Sequence, residues 1–308
     1  MDPSRPPGAV TIQPLGADGL AILRALVADP SLAQEYGDLA AGGLDDQLGD
    51  PFCDPALRFL ARVEGAPVGF AYSFVLPSGA GSWAMVRLGV VAAHRRGGAG
   101  SALLASTLAA LRARAEPPRE AVLAAWQQNP ALAGFAARHG FGHARTFWRM
   151  ERSPGPAPAP RWPVGIEVGA FDGSERALAG WNESYNRSFA EHWHFVPSDL
   201  EHARRIAELP GFRPDGLALA WRGGACVAFC RCALGGPRGE VSVLGVVPAA
   251  RGIGLGRALL RQGVLWLRGA GAERVDLTVD GENEGALALY RAEEFAVVRT
   301  RELFARPL

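Results

Sequence analysis

The sequence predicts two α/β domains in tandem, and three observations support this fold class. A segment rich in proline and alanine divides the chain nearly in half, and the two halves repeat the same landmarks in the same order. In each half an apolar strand leads into a glycine-rich turn and then into a segment with helical spacing of apolar residues. Repetition of several landmarks is typical of a duplicated domain.

Size and composition agree with two domains of ordinary size. The chain has 308 residues, of which 48% are hydrophobic and 20% charged, and its formal charge of +1 gives no field to attract nucleic acid or anionic lipid. All 32 basic residues are arginine, which indicates coding bias. The sequence shows no apolar run of membrane-spanning length and no signal-peptide pattern at its start. We therefore expect a cytoplasmic protein without nucleic-acid or membrane partners.

Three of the four cysteines lie close together. Cys226, Cys230 and Cys232 fall in a predicted strand, whose alternation would place all three on one face. A metal or redox site is one interpretation, and buried thiols in a reducing compartment are the other. No second Cys/His pair stands at ligand spacing, which favours buried thiols and no metal.

The repeat sets the predicted domain limits. Residues 88–100 align without a gap with residues 244–256, at an offset of 156 (244 − 88). Residues 66–70 echo residues 225–229, and Asn129 with Phe141 echoes Asn283 with Phe295. We predict domains at 1–152 and 164–308, joined by a semi-rigid linker at 153–163 that buries almost nothing.

The elements of each half follow in order. Amphipathic helical regions at about 17–41 and 172–208 open the halves, and two strands joined by a glycine-containing turn (222–224 in the second half) come next. An apolar strand, the glycine turn and a helix with apolar residues at helical spacing follow; those residues are Leu259, Leu260, Val264 and Leu267. The second half then has a strand at 274–279, a short helix at 284–291 and a closing strand at 297–304.

The turn at residues 251–256 favours an anionic ligand. A helix that starts after a strand presents free N–H groups and the positive end of its dipole, and glycines let a phosphate approach. A pyrophosphate is therefore expected. One alternative is a turn that merely needs positive φ angles. A Rossmann dinucleotide site is another, although it needs a small residue where Arg257 stands.

Two motifs together resemble a known family. The pattern from Val246 to Gly256 resembles the CoA pyrophosphate loop of GNAT acetyltransferases, and the run from Asn283 to Tyr290 with Phe295 resembles that family's second signature. The resemblance implies two tandem GNAT domains, each a mixed splayed sheet flanked by helices. It also implies that acetyl-CoA binds where two central strands part and leaves as CoA.

The resemblance further implies which residues hold the cofactor. Backbone groups of Leu244 and Val246 would pair with the pantetheine arm, and Asn283 would help to position the thioester. The turn would hold the pyrophosphate through Arg251, Gly252, Ile253, Gly254, Leu255, Gly256 and Arg257. The first half offers a second candidate cofactor site at Val90, Arg95, Arg96, Gly98 and Gly100.

Two residues are candidates for proton transfer. Tyr290 stands where the family commonly keeps its general acid, and Glu240 precedes the apolar strand as a candidate base for the amine. Tyr290 could instead be a core residue, and Glu240 a solvated charge. The first half has Ala84 and Ala136 at the matching positions, which predicts that the C-terminal domain carries the chemistry and the N-terminal domain is degenerate.

The acceptor pocket is the least specific prediction. Within the GNAT family, residues 239–248 and 278–290 resemble mycothiol synthase-like proteins, but the segment 181–195 lacks their usual His-Pro run, so their substrate is not transferred. Candidate pocket residues are Trp181, Tyr185, Glu191, His192 and Trp193. The same segment could be an aromatic packing turn, or His192 and His194 a metal pair.

We therefore expect an N-acetyltransferase that acts on a small-molecule amine. The alternatives are a pseudoenzyme or acyl-CoA sensor, and acetylation of a protein amine or of a mycothiol precursor. Two fused copies can form an internal pseudo-dimer, so a monomer is expected.

Overall fold

In the computed structural model, residues 9–16, 19–38, 43–79, 81–126 and 129–308 are described. They form two units: residues 1–145 with 301–308, and residues 146–300. Each unit folds around a mixed sheet with helices packed on it, which confirms the predicted α/β class.

The first unit contains a sheet in the order β1-β2-β3-β4-β5-β12, in which β4 and β5 are parallel and the other neighbours antiparallel. Its strands are β1 (Val10–Pro14), β2 (Phe59–Val63), β3 (Ala66–Ser78), β4 (Gly81–Val90), β5 (Glu120–Trp126) and the end of β12 (Phe295–Pro307). Its helices are α1 (Gly19–Val27), α2 (Ala33–Asp38), α3 (Leu44–Gly49), α4 (Ala99–Arg112) and α5 (Pro130–Arg138).

The second unit repeats this topology with the order β7-β8-β9-β10-β11-β6, in which β10 and β11 are the parallel pair. Its strands are the end of β6 (Gly142–Arg152), β7 (Glu167–Ala170), β8 (Leu217–Arg222), β9 (Ala225–Gly235), β10 (Arg238–Val246) and β11 (Arg274–Asp280). Its helices are α6 (Glu175–Phe189), α7 (Leu200–Ala207), α8 (Leu255–Gly269) and α9 (Glu284–Ala292).

Differences from the predicted elements lie mainly at the start of each half. Each opening region contains two helices, because prolines at 30 and 197 interrupt the helical pattern. Residues 17–18 and 39–41 of the first region lie outside the described residues. Strands β1 and β7, which the predicted elements omit, have only five and four residues and occupy the edges of their sheets.

The chain passes between the units within β6 and within β12. Residues 146–152 are grouped with the second unit and 301–308 with the first, so these units differ from the domain limits of 1–152 and 164–308, which remain a prediction. After β6, the buried guanidinium of Arg152 donates to the carbonyls of Ser153, Gly155 and Pro156 and binds Glu294. The start of the linker is thereby anchored, although most of its residues are exposed.

Helices cover both faces of the second sheet. Leu259, Leu260, Val264 and Leu267 of α8 are buried in one core cluster, as their spacing predicts, and α6 and α7 contribute to another. No helix in the described ranges is both long and apolar enough to cross a membrane.

One of the cysteine predictions is wrong. Cys230 and Cys232 face α8, where a Cβ on Gly263 would lie 2.9 Å from both sulfurs. Cys226 instead packs with the α6 cluster. A register shift between β8 and β9 pairs Trp221 with Cys226 but Ala220 with Ala228, and the extra residue moves Cys226 to the other face.

In both units a glycine on one central strand pairs with a phenylalanine on the neighbouring strand. Gly245 on β10 pairs with Phe229 on β9, and Gly89 on β4 pairs with Phe70 on β3. A Cβ on Gly245 would lie 2.5 Å from the Phe229 ring, and one on Gly89 would lie 2.9 Å from the Phe70 ring. The repeated Leu-Gly-Val sequence is therefore required by the ring on the neighbouring strand.

Gly245→Ala should lower the free energy of unfolding by about 1–3 kcal/mol, because the buried ring cannot move away without repacking. Gly169→Ala on β7 is the matched control, since a Cβ there meets no atom within 4 Å. Urea unfolding of both variants checks the prediction, and equal midpoints would contradict it.

Candidate active site

The glycine turn of the second unit exposes the start of α8. Gly252 and Gly254 have φ angles of +81° and +87°, and a Cβ at either position would meet no atom within 4 Å. The first helical bond runs from the Ala258 N–H to the Gly254 carbonyl, so the preceding N–H groups point out of the helix end. Open space, free donors and the helix dipole together suit an anion.

The Arg251 side chain stabilises this turn through hydrogen bonds to two backbone carbonyls. Its Nε donates to the Val246 carbonyl at 3.1 Å and its Nη2 to the Ser188 carbonyl at 3.1 Å. The side chain therefore joins the ends of β10 and α6 to the turn.

Three motif segments meet at Gly256. A Cβ on this residue would lie 3.5 Å from Val246 Cγ2 and 3.6 Å from Leu289 Cδ2. Helix α8 therefore packs closely against both β10 and α9 at this residue.

Strands β10 and β11 part beside this turn. They pair over Arg238–Val241 and Arg274–Leu277, and β10 continues to Val246 along β9. The Val247 N–H donates to the Val227 carbonyl of the β9 side, so by alternation the backbone groups of Leu244 and Val246 point away from β9. The pairing of β10 with β11 ends at Val241 and Leu277, so the N–H and C=O of Leu244 lie beyond the paired part of β11.

A β-bulge determines where Glu240 points. Between Val241 and Val243 the pairing with β9 shifts by one residue. Val241 faces Gly263 of α8, so Glu240 faces the opposite side of the sheet, toward α6, together with Arg231. The bulge also places Val243, three residues later, on that same face.

The surroundings of Glu240 make it a better proton acceptor. Burial raises the pKa of this carboxyl, and the neighbouring Asp276 carboxylate raises it further, against the opposing effect of nearby arginines. Asp276 pairs in register with Glu240, is 1% exposed, and forms ion pairs with Arg149 at 3.0 Å and Arg238 at 2.8 Å.

Tyr290 lies on α9 within the core cluster on the α8 face. It is 7% exposed, its ring centroid is 6.1 Å from that of Phe295, and its hydroxyl makes no hydrogen bond to another described residue. Burial raises the pKa of Tyr290, which keeps the phenol protonated as a donor.

The Asn283 and Arg257 side chains stabilise helices α8 and α9 beside the glycine turn. The Asn283 side-chain oxygen accepts from the Ala286 N–H at 3.1 Å and caps α9. Arg257 and Arg261 on α8 bind the buried carboxylate of Glu293, at 3.2 and 2.8 Å.

The first unit repeats the turn. Gly98 has φ +88°, and Arg96 takes with φ +66° the left-handed conformation that Gly252 has in the second unit. Arg95 donates from Nε to the Val90 carbonyl at 2.9 Å and from Nη2 to the Ser31 carbonyl at 2.7 Å, as Arg251 does with Val246 and Ser188. Gly100 packs near Val90.

Unlike the second unit, the first fills the gap between its parallel strands with its own α2. The Tyr36 hydroxyl donates to the Leu88 carbonyl at 2.9 Å and accepts from the Leu88 N–H at 3.0 Å. Glu35 accepts from the Trp126 N–H at 3.2 Å and from the Asn129 amide at 3.1 Å. We call these two residues the Glu35–Tyr36 clasp; they bind the counterparts of Leu244 and Asn283.

Strand β4 of the first unit lacks the β-bulge that β10 has between Val241 and Val243. Its pairing with β3 runs without a register shift, and Ala84 faces the core that α4 covers. Although Ala84 aligns with Glu240 in sequence, it points to the opposite side of its sheet. Ala136, which aligns with Tyr290, is fully buried.

The predicted acceptor residues separate into two groups. Trp181 and Tyr185 line a cavity of about 120 Å³ on the α6 face of the second sheet. Glu191 is exposed and lies 4.0 Å from Arg251. The rings of His192 and Trp193 pack on Phe189 and His194 respectively, away from the cavity lining.

Sequence reasoning missed Arg231, Asp276 and the clasp. Arg231 is a charged residue inside an otherwise apolar strand, and alternation places it opposite Cys230 and Cys232, which was an available signal. Asp276 interrupts an apolar strand in the same way. Nothing in the sequence of α2 indicated that Tyr36 reaches Leu88, 52 residues away.

Comparisons with known proteins agree with this geometry. The profile of the acetyltransferase (GNAT) family matches residues 27–141 and 178–295. Mycothiol acetyltransferase from Thermomonospora curvata is 35% identical over 257 residues, covering 80% of this chain and 82% of that protein. The mycothiol acetyltransferase from Thermobispora bispora is 39% identical over 174 residues, covering 54% of this chain and 59% of that protein.

A solved structure of low sequence identity supports the fold and no more than the fold. A GCN5-related N-acetyltransferase from Sphaerobacter thermophilus superposes with a TM-score of 0.77 at 21% identity, over 97% of this chain and 95% of that chain.

Tyr36→Phe should lower the free energy of unfolding by about 1–3 kcal/mol, because it leaves the N–H and C=O of Leu88 without partners. Burial raises the pKa of Tyr36 to about 12, so this loss should not vary with pH near neutrality. Tyr290→Phe is the control, since its hydroxyl makes no hydrogen bond in the described ranges. Thermal unfolding measures both, and equal stability of the two variants would contradict the role of the clasp.

Proposed function

Because the chain belongs to the GNAT acetyltransferase family, we propose that its second unit transfers an acetyl group from acetyl-CoA to the amine of a small molecule. The family uses acetyl-CoA, which supplies the acetyl thioester. The observation that carries the proposal is the contrast between the parallel strands of the two units. In the second unit the backbone groups of Leu244 are available, whereas in the first the clasp binds those of Leu88.

The residues present in the second unit fit acetyl-CoA. Leu244 offers its N–H and C=O for an extended amide-containing arm, and the N–H groups of residues 252–257 offer an anion site for the pyrophosphate. The Val246 carbonyl already accepts from Arg251, which leaves the N–H of that residue. The Asn283 amide nitrogen remains available beside α9, because its oxygen caps the helix. Arg251 acts by holding the turn.

Two side chains would move protons. Glu240 accepts the proton that the amine loses as the new amide bond forms, and its raised pKa makes it a stronger base than an exposed carboxylate. Tyr290 gives a proton to the sulfur as the thioester bond breaks, so that the products are an amide and a thiol. The Val246 N–H, which points away from β9, would donate to the acyl oxygen.

A second candidate is the acetyl transfer for which the mycothiol acetyltransferases are named, supported by 35% identity over 80% of the chain. An acyl-CoA sensor without turnover is disfavoured, because Glu240 and Tyr290 are both kept in the unit whose gap is open.

Gly254→Trp should abolish acetyl transfer, whereas Gly98→Trp should not. The two glycines have φ angles of +87° and +88° and open surroundings, so the backbone strain is matched and only the blocked helix end differs. The assay incubates each variant with isotope-labelled acetyl-CoA and a bacterial small-molecule extract, and mass spectrometry identifies labelled amides. Equal losses in both variants would contradict catalysis by the second unit alone.

Tyr290→Phe should lower kcat by about 10²–10⁴-fold while the acetyl-CoA Kd stays nearly unchanged, because the phenol acts on the departing sulfur. Calorimetry and steady-state kinetics separate these effects. A parallel loss of affinity would mean that Tyr290 shapes the site and does not transfer a proton.

Asp276→Asn should shift the acidic limb of the kcat/KM profile to lower pH. Activity falls as Glu240 is protonated, and removal of the neighbouring negative charge lowers the Glu240 pKa. The profile of the variant, compared with that of the wild type, checks this. An unchanged limb would show that Glu240 is not the group that titrates.

A further inference from the structure

The cavity on the α6 face of the second sheet has a positively charged lining. Helices α6 and α7 and strands β9 and β10 enclose it, and its lining includes Trp181, Asn182, Tyr185, His202 and Arg231. None of its lining residues in the described ranges carries a carboxylate, so the lining is cationic overall.

Arg231 is the source of this positive charge. Its side chain is largely buried, and burial lowers the pKa of its guanidinium. It makes no hydrogen bond or ion pair with any other residue of the described ranges. Glu240 lies near enough to interact electrostatically but does not form a salt bridge with it. A partly buried guanidinium without a hydrogen-bonding partner is costly, so a ligand anion that accepts its hydrogen bonds would compensate it.

Other polar groups at the cavity also lack partners. Trp181 Nε1 and Asn182 Oδ1 are buried and make no hydrogen bond within the described part of the chain. Trp181 is 5% exposed. A donor and an acceptor left open beside Arg231 indicate a polar ligand and not an apolar one.

The position of the cavity connects it to the acceptor. On β9, Arg231 lies two residues from Ala233, and Ala233 pairs with Glu240 on β10. Arg231 and Glu240 are therefore diagonal neighbours across the two strands, and their Cα atoms lie about 7 Å apart. Two hydrogen bonds between Asn186 and Ser198, at 2.8 and 2.7 Å, hold the loop after α6 against the helix and so fix one side of the cavity.

We propose that the acceptor amine carries an anionic group, a carboxylate or a phosphate, which Arg231 binds while the amine faces Glu240. This inference rests on the proposed function and names the class of its acceptor. The guanidinium can bind either anion with two parallel hydrogen bonds, and the spacing from Glu240 suits a molecule in which only a few bonds separate amine and anion.

Matched pairs of amines test the proposal with Arg231→Met. The pairs are L-amino acids against their amides, and phosphoethanolamine against ethanolamine, which distinguishes the two anions. Binding is measured by saturation-transfer NMR, and turnover with acetyl-CoA by mass spectrometry, at a pH above the acidic limb, because loss of Arg231 raises the Glu240 pKa. The control is Arg238→Met, which also removes a cation near Glu240 but does not line the cavity.

We expect the anionic member of at least one pair to bind about 30-fold or more tightly than the neutral one. Arg231→Met should abolish this preference through KM and leave kcat at saturation nearly unchanged, while Arg238→Met should keep the preference. Equal binding of both members, or an equal loss of both in Arg231→Met, would overturn the inference. An Arg231-dependent preference in binding without any acetylated product would overturn the proposed function and leave the anion site standing.

Discussion

Where two parallel strands part, their backbone N–H and C=O groups lose the partners that a sheet provides. A buried backbone group needs a hydrogen bond, so each unit must satisfy these groups in another way. In the first unit the Tyr36 hydroxyl binds both groups of Leu88, and Glu35 binds the end of β5. In the second unit the matching groups of Leu244 remain open. The same architecture is therefore closed by α2 in the first unit, whereas the second unit leaves the matching backbone groups of its parallel strands open.

One extra residue in β10 is a second structural difference between the two units. The bulge turns Glu240 toward α6, where the cavity lies, while Val241 stays in the core against α8. Strand β4 has no bulge, and Ala84 stays in its core. A gapless sequence alignment hides this difference, because it matches Ala84 with Glu240 by position and does not show which face of the strand each residue occupies. Replacing Ala84 alone by glutamate would consequently bury a charge without creating a base.

The sequence was sufficient to predict the duplicated α/β fold and the helix start at the glycine turn, because both depend on local spacing. The roles of Glu240 and Tyr290 came with the family resemblance and stay predictions. The sequence was insufficient for features that depend on distant contacts. The clasp joins residues 52 positions apart, and the bulge that moves Cys226 is visible only in the pairing of β8 with β9. Of the expected acceptor residues, Trp181 and Tyr185 share the helix face that looks onto the cavity, whereas Glu191 follows the end of α6 and lies beside Arg251.

Arg231 and Glu240 interact electrostatically, and under the proposal this interaction would link acceptor binding to proton transfer. The Arg231 cation lowers the Glu240 pKa, against burial and Asp276, which raise it. An anion bound to Arg231 would cancel most of the effect of the cation. The Glu240 pKa would then rise further, which would make its carboxylate a stronger base for the proton of the amine. A neutral amine would leave the cation uncompensated and the base weaker, so binding and chemistry would favour the same class of acceptor.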